Sequence, residues 1–142
     1  MDARDIIEKL NMRPHSEGGW YAESWRERPM GSARRATASC IYFLLEKGRR
    51  TRWHKLDVTE VWFFHGGSPI VLHTATSDSS TPQERILGSN LIVGERPQIV
   101  VPPLHWQHTE AREGWGLLSC TVSPGFEFAG FTIAEPEWAP GR

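Results

Sequence analysis

Turn chemistry cuts this chain into pieces too short for long helices. Lys47-Gly48, Gly66-Gly67, Ser77–Thr81, Gly94–Pro97, Pro102-Pro103 and Pro124-Gly125 all disfavour a continuing element and favour reversal. Between them lie short apolar or alternating runs, the pattern of a sandwich or barrel. Strands are expected near Gly19–Trp25, Thr37–Glu46, Thr51–Leu56, Glu60–His65, Pro69–Thr76, Arg85–Leu87, Gln98–Val101, Trp106–Thr109, Gly114–Val122 and Phe128–Ile133. One helix is expected, within residues 1–12. Asp2 can cap it, Ile6, Ile7 and Leu10 share a face, and Arg13-Pro14 ends it. The 142 residues fit one all-β domain. Its expected parts are a barrel over 19–133 and a proline-bearing tail over 134–142 that trails along the surface.

Charge narrows the function. The net charge is -1, from 16 basic and 17 acidic residues. A phosphate backbone requires a clustered basic face, and the densest runs are only Arg34-Arg35 and Arg49-Arg50 with Arg52. Nucleic acid is therefore excluded as a partner. No apolar stretch approaches membrane-spanning length, which excludes a membrane role of that kind. The acidic, amphipathic N-terminus is no secretory signal, so Cys40 and Cys120 read as reduced thiols in a cytoplasmic protein. Seven Trp and six Phe in so short a chain suit an aromatic-lined cavity or a large interface between subunits.

Two segments carry chemistry. The first is Gly48-(x5)-His54-x-Leu56-(x3)-Glu60-(x6)-Gly67. His54 and Glu60 bracket a short turn and can project from adjacent strands toward one point. An imidazole and a carboxylate converging there suit a metal or a base with its orienting partner. The second is Gly94-(x7)-Pro102-Pro103-Leu104-His105-Trp106-Gln107-His108. On a strand His105 and Gln107 share one face and Trp106 and His108 the other, with the face of Gln107 expected inward. A register slip of one residue would exchange them.

These segments resemble the two motifs of the cupin superfamily. The first motif is matched in spacing, with Leu56 where a second histidine would stand. In the second, Pro102 and Leu104 take the opening places and Gln107 stands at the histidine position. The chain resembles more closely the cupin subfamily called DUF985 or Cupin_5. The matching pieces are His15-Ser16-Glu17-Gly18-Gly19-Trp20-Tyr21, Ile41-Tyr42-Phe43-Leu44-Leu45, Trp53-His54-Lys55-Leu56, Glu60-Val61-Trp62, Val101-Pro102 with Trp106-Gln107, and Thr121-Val122-Ser123-Pro124-Gly125-Phe126. The resemblance implies a double-stranded β-helix, or jelly-roll barrel, and a homodimer. It also implies a likeness to bacterial sugar-nucleotide epimerases.

Three functions follow as expectations. The first is an isomerase or epimerase acting on a small polar metabolite such as a sugar nucleotide. His54 would take a proton, Glu60 would orient it, and Tyr42 would return the proton. The second is a metal-dependent cupin with a reduced ligand set of His54, Glu60 and Gln107, aided by His105 or water. That site would hold zinc, nickel or iron, whereas the first function needs no metal. The third is a barrel that binds a small ligand without turnover. Glu17, Arg52, Trp62, Phe64, His105 and Gln107 are the expected ligand contacts, and Glu17 and Arg26 are expected at the pocket rim. His65 and His73 are expected to be structural, His65 lying on the opposite strand face from Glu60 and Trp62.

Overall fold

The structure, a computed structural model, describes residues 1–142. It contains one helix, α1 (Ala3–Lys9), and eleven strands: β1 (Arg13–Pro14), β2 (Trp20–Glu27), β3 (Ala38–Leu45), β4 (His54–Leu56), β5 (Thr59–Gly67), β6 (Ile70–Ala75), β7 (Gln83–Leu87), β8 (Gln98–Val101), β9 (Trp106–Glu110), β10 (Gly116–Ser123) and β11 (Phe131–Ile133). They form two sheets, ordered β1-β2-β3-β10-β5-β8 and β11-β4-β9-β6-β7. The double sheet is the expected jelly roll.

The elements follow from local chemistry. Asp2 and Asp5 make a reciprocal capping box at the start of α1, satisfying two backbone N–H groups that the first turn leaves unpaired. The helix lays Ile6 and Ile7 on the outer face of the six-stranded sheet, where they pack with Leu44, Tyr42, Trp20 and Leu117. Burying each isoleucine contributes about 2 kcal/mol. On β3 the alternation is clean. Ile41, Phe43 and Leu45 point into the barrel, while Tyr42 and Leu44 face the helix.

Inside, Phe43, Trp62, Ile70, Leu72, Leu87, Val101 and Leu118 fill one end of the barrel. A smaller apolar group of Leu56, Val58 and Val122, with Phe126 and Phe131 against it, closes part of the other end. Polar side chains collect where the two groups meet. The last residues do not trail freely. Trp138 packs on Trp106 with ring centroids 4.5 Å apart, and the Gly141 N–H donates to the Asp78 carbonyl at 2.8 Å. Phe128–Gly130 forms a 3₁₀ turn ahead of β11, where strand was expected. No helix is long and apolar enough to cross a membrane.

Candidate active site

The cavity between the two apolar groups holds about 110 Å³ of free space. Its walls carry His54 from β4, Glu60 and Trp62 from β5, Tyr21, Glu23 and Arg26 from β2, Cys120 from β10, and His15 and Glu17 from the turn before β2. Exposed Arg26 and Phe128 stand at its rim.

His54 is 2% exposed, and both of its ring nitrogens are engaged. Nδ1 lies 2.8 Å from the Arg52 carbonyl, which can only accept, so Nδ1 carries the hydrogen. Nε2 lies 3.0 Å from Oε2 of Glu17, itself 6% exposed. Burial pushes the His54 imidazole down to about 3. It pushes Glu17 well above the usual carboxylate range, helped by the nearby Glu60. The proton between them therefore stays on Glu17, and Glu17 donates to His54.

Backbone contacts hold the pair. The Arg52 N–H donates to the Glu17 carbonyl at 2.7 Å, and the Glu17 N–H donates to Nδ1 of His15 at 3.1 Å. His15 is thereby fixed with its hydrogen on Nε2, and burial lowers it to about 4. Gly18 and Gly19 turn the chain here at φ 107° and 77°. A Cβ on Gly19 would come within 3.1 Å of the Leu44 carbonyl, so only glycine lets the turn sit against β3.

Glu60 is oriented by a directional chain. The Trp62 indole N–H can only donate, and it does so to Oε1 of Gln107 at 2.8 Å. That fixes which end of the amide is which. Nε2 of Gln107 must then donate to Oε1 of Glu60, also at 2.8 Å. The buried Cys120 thiol, kept protonated by burial, lines the same wall as the Glu60 carboxyl. Despite the stabilising donor on Gln107, burial raises Glu60 to about 7. It is a carboxyl poised to gain or lose a proton near neutral pH.

Of the residues singled out in the sequence, His54, Glu60, Glu17 and Trp62 line this one cavity, and Gln107 reaches it through Glu60. His54 meets Glu17, not Glu60, as its direct partner. Four others lie elsewhere. Tyr42 faces α1 because it alternates with the inward Ile41 and Phe43. Phe64 shares the parity of Glu60 but stands four residues along β5, roughly 13 Å away at strand rise, and packs on the filled end of the barrel. Arg52 contributes its backbone to the site, while its guanidinium donates to the Ala134 carbonyl. His105 precedes β9 in a turn closed by its own N–H on the Pro102 carbonyl, with Leu104 at φ 65°. Strand alternation starts only at Trp106, so parity with Gln107 does not reach back to it. Outside the barrel His108 stacks on His73, with centroids 4.2 Å apart. His65 sits outside the cavity, hydrogen-bonded to Ser119 at 2.7 Å.

His15, Tyr21, Cys120 and Phe131 line the cavity without having been singled out as site residues. Strand parity offered a signal for Cys120. It pairs in register with Trp62, so the two share a face.

The donor set does not fit the divalent metal that the cupin motifs imply. Leu56 is apolar, Gln107 turns its N–H₂ group toward the site, and Nε2 of His54 is capped by Glu17. No group of three or more His, Cys, Asp or Glu side chains is arranged around a common point.

The chain matches the model of the family Cupin_5, cupin superfamily (DUF985), over residues 4–134. It belongs to that family. A Shewanella oneidensis protein known from X-ray crystallography is 34% identical, with a TM-score of 0.88 over 95% of this chain and 85% of that one. A hypothetical protein from Leishmania major is 28% identical, with a TM-score of 0.86 over 94% of this chain and 88% of that one. Oxalate decarboxylase from Bacillus subtilis shares the fold alone, at 13% identity and a TM-score of 0.64, over 89% of this chain and 30% of that one. No curated protein matches this cupin.

Proposed function

We propose that this cupin is a proton-transfer enzyme, an isomerase or epimerase acting on a small polar metabolite. One observation carries the reading. Two separately held proton-exchanging groups, the Glu17–His54 pair and Glu60, line a single buried hollow. Chemistry that moves a proton on and off a carbon next to a carbonyl needs a base and an acid whose affinities suit neutral pH.

Glu60, near 7, is the base: it is partly ionised at neutral pH, and Gln107 aims it. Glu17 is the acid, because it holds its proton at neutral pH and lies beside the same space. His54 is the positioning residue. Its low basicity leaves the proton on Glu17, and its fixed Nδ1–H tautomer presents an acceptor that orients the carboxyl. In one turnover Glu60 accepts the proton leaving carbon and Glu17 returns one. The two groups then re-equilibrate with solvent. No step requires a metal ion.

The test is solvent-deuterium incorporation into carbonyl metabolites, sugar nucleotides among them. Exchange is expected with the wild-type protein and loss of about a thousandfold or more with Glu60→Gln. Glu17→Gln also abolishes turnover. Its amide can still donate to His54, so stability should stay within about 1 kcal/mol of wild type. Stable ligand binding with no exchange would instead identify a barrel that binds without turnover.

A further inference from the structure

The charge inside the cavity says which end of a ligand enters it. Two carboxyls, Glu17 and Glu60, face the space, and neither has a cationic partner there. The imidazoles of His15 and His54 are held neutral by burial. The thiol of Cys120 is protonated. Arg26 is the one guanidinium on the wall. It is spent on a two-point contact with Glu23, at 2.8 and 3.0 Å, and on the Phe126 carbonyl at 3.0 Å. Nothing inside can neutralise a phosphate or carboxylate of a ligand. The rest of the wall is aromatic: Tyr21, Trp62, Phe126 and Phe131, with Phe128 at the rim. Aromatic faces attract cations and repel anions.

Resting on the proton-transfer reading of the same cavity, we propose that the site takes the cationic end of its ligand. That end is an ammonium group, held by Glu17 and Glu60 against the rings of Tyr21, Trp62, Phe126 and Phe131. The substrate class is then an amino-bearing metabolite, and any phosphate it carries stays outside the hollow. An entering cation supplies the positive charge that Glu60 lacks, so Glu60 ionises fully and its proton leaves to solvent, while Glu17 keeps the proton it donates to His54. Ligand binding is thereby linked to proton release.

The test uses three probes of one shape on the wild-type protein at pH 7. Choline carries a permanent charge, 3,3-dimethylbutan-1-ol is its neutral counterpart, and 3,3-dimethylbutanoate is an anion of similar size. Titration calorimetry in two buffers of different ionisation enthalpy reads affinity and proton exchange together. Choline cannot titrate, so every proton it releases comes from the protein. The expected result is choline binding roughly tenfold or more tighter than the alcohol, with release of about half a proton, since Glu60 is half-ionised at pH 7 before the cation enters. The anion should not bind. Glu60→Gln should bring choline and the alcohol closer together and reduce the proton release. Equal affinity for choline and the alcohol, preference for the anion, proton uptake, or no choline binding would each overturn the proposal. The wild-type comparison decides even where a variant fails to fold. Deuterium exchange alongside a preference for the anion would sink this inference and leave the proton-transfer reading standing. Choline binding in a protein that exchanges nothing would do the reverse.

Discussion

Glu60 and His54 pull the stability of this protein in opposite directions as pH changes. Glu60 is raised in the folded state to about 7 from an ordinary value of 4.5. The folded chain therefore holds a proton that the unfolded chain has already lost, and stability falls as pH rises between those values. The loss amounts to about 3 kcal/mol once Glu60 has ionised. Glu17, raised further, extends the decline to higher pH. His54, His15 and His108 are lowered to about 3, 4 and 4, so each costs stability as pH falls below the ordinary histidine value of 6.5. The two slopes meet between about pH 6 and 6.5. Thermal melting across pH 5 to 9 should show its maximum there, and Glu60→Gln should flatten the alkaline side. A maximum at pH 8 or above would contradict the buried, proton-holding carboxyls. Gln107→Leu breaks the chain from Trp62 to Glu60 and leaves a buried indole N–H and a carboxyl without their partner. It should cost about 2–4 kcal/mol in urea unfolding. Of this residue chemistry, the sequence displays the positions of His54 and Glu60, because their spacing around one turn lets both strands turn them toward one cavity. It hides the Glu17–His54 pair. Glu17 sits in a turn with no periodicity to assign its direction, and its partner arrives only through the fold.

Strand parity explains which expectations at the element scale carried through. β5, β8 and β10 run long enough for alternation to place Glu60, Trp62, Val101 and Cys120 on the barrel side, and their register confirms it. The same rule puts Gln107 inward and His108 outward on β9, where Gln107 pairs with His54 and His108 with His73. Parity misleads where a strand is shorter than it looks. The parity of Gln107 does not extend back to His105, which precedes β9, and the strand expected from Phe128 begins only at Phe131. For Tyr42 the limit is different. Alternation separates it from its neighbours but cannot say which side is covered by a helix and which by the other sheet. Element ends also carry the tightest backbone constraints. Gly67 closes β5 at φ 84°, and a Cβ there would collide with the Trp115 carbonyl and indole ring. Neither can yield without shifting the start of β10, which pairs with β5 through a register shift at Leu117 and Leu118. Gly67→Ala should therefore destabilise the barrel by about 2–4 kcal/mol with an unchanged denaturant slope. A loss below about 0.5 kcal/mol would show that the turn relaxes freely.

On the scale of the whole molecule, the apolar surface is unevenly spread. Leu91, Ile92 and Val93, between β7 and β8, are 59%, 97% and 66% exposed. Those two strands end the two sheets at this side of the barrel, with Arg96 pairing onto the end of β7, and they carry the exposed Ile86 and Val100. Free sheet edges are usually blunted by charge, proline or a covering element, and a contiguous apolar patch on one marks a contact surface. A second copy of the chain is the occupant that the family resemblance implies, and the patch offers it the apolar side chains of Leu91, Ile92 and Val93. A homodimer formed through this patch is the outcome to be expected from a mass measurement. None of the cavity's lining residues belongs to β7, β8 or the segment between them, so dimer formation and ligand binding should separate. Light scattering on the wild-type protein should give twice the 16.1 kDa chain mass. Ile92→Glu, which places a charge at the most exposed point of the patch, should give the single-chain mass with an unchanged far-ultraviolet spectrum. It should also retain the wild-type affinity for ligands of the cavity. A wild-type monomer at micromolar concentration would remove the dimer. An Ile92→Glu protein that stays dimeric would move the interface elsewhere, because a carboxylate buried without a partner costs more than a patch of this size can offset.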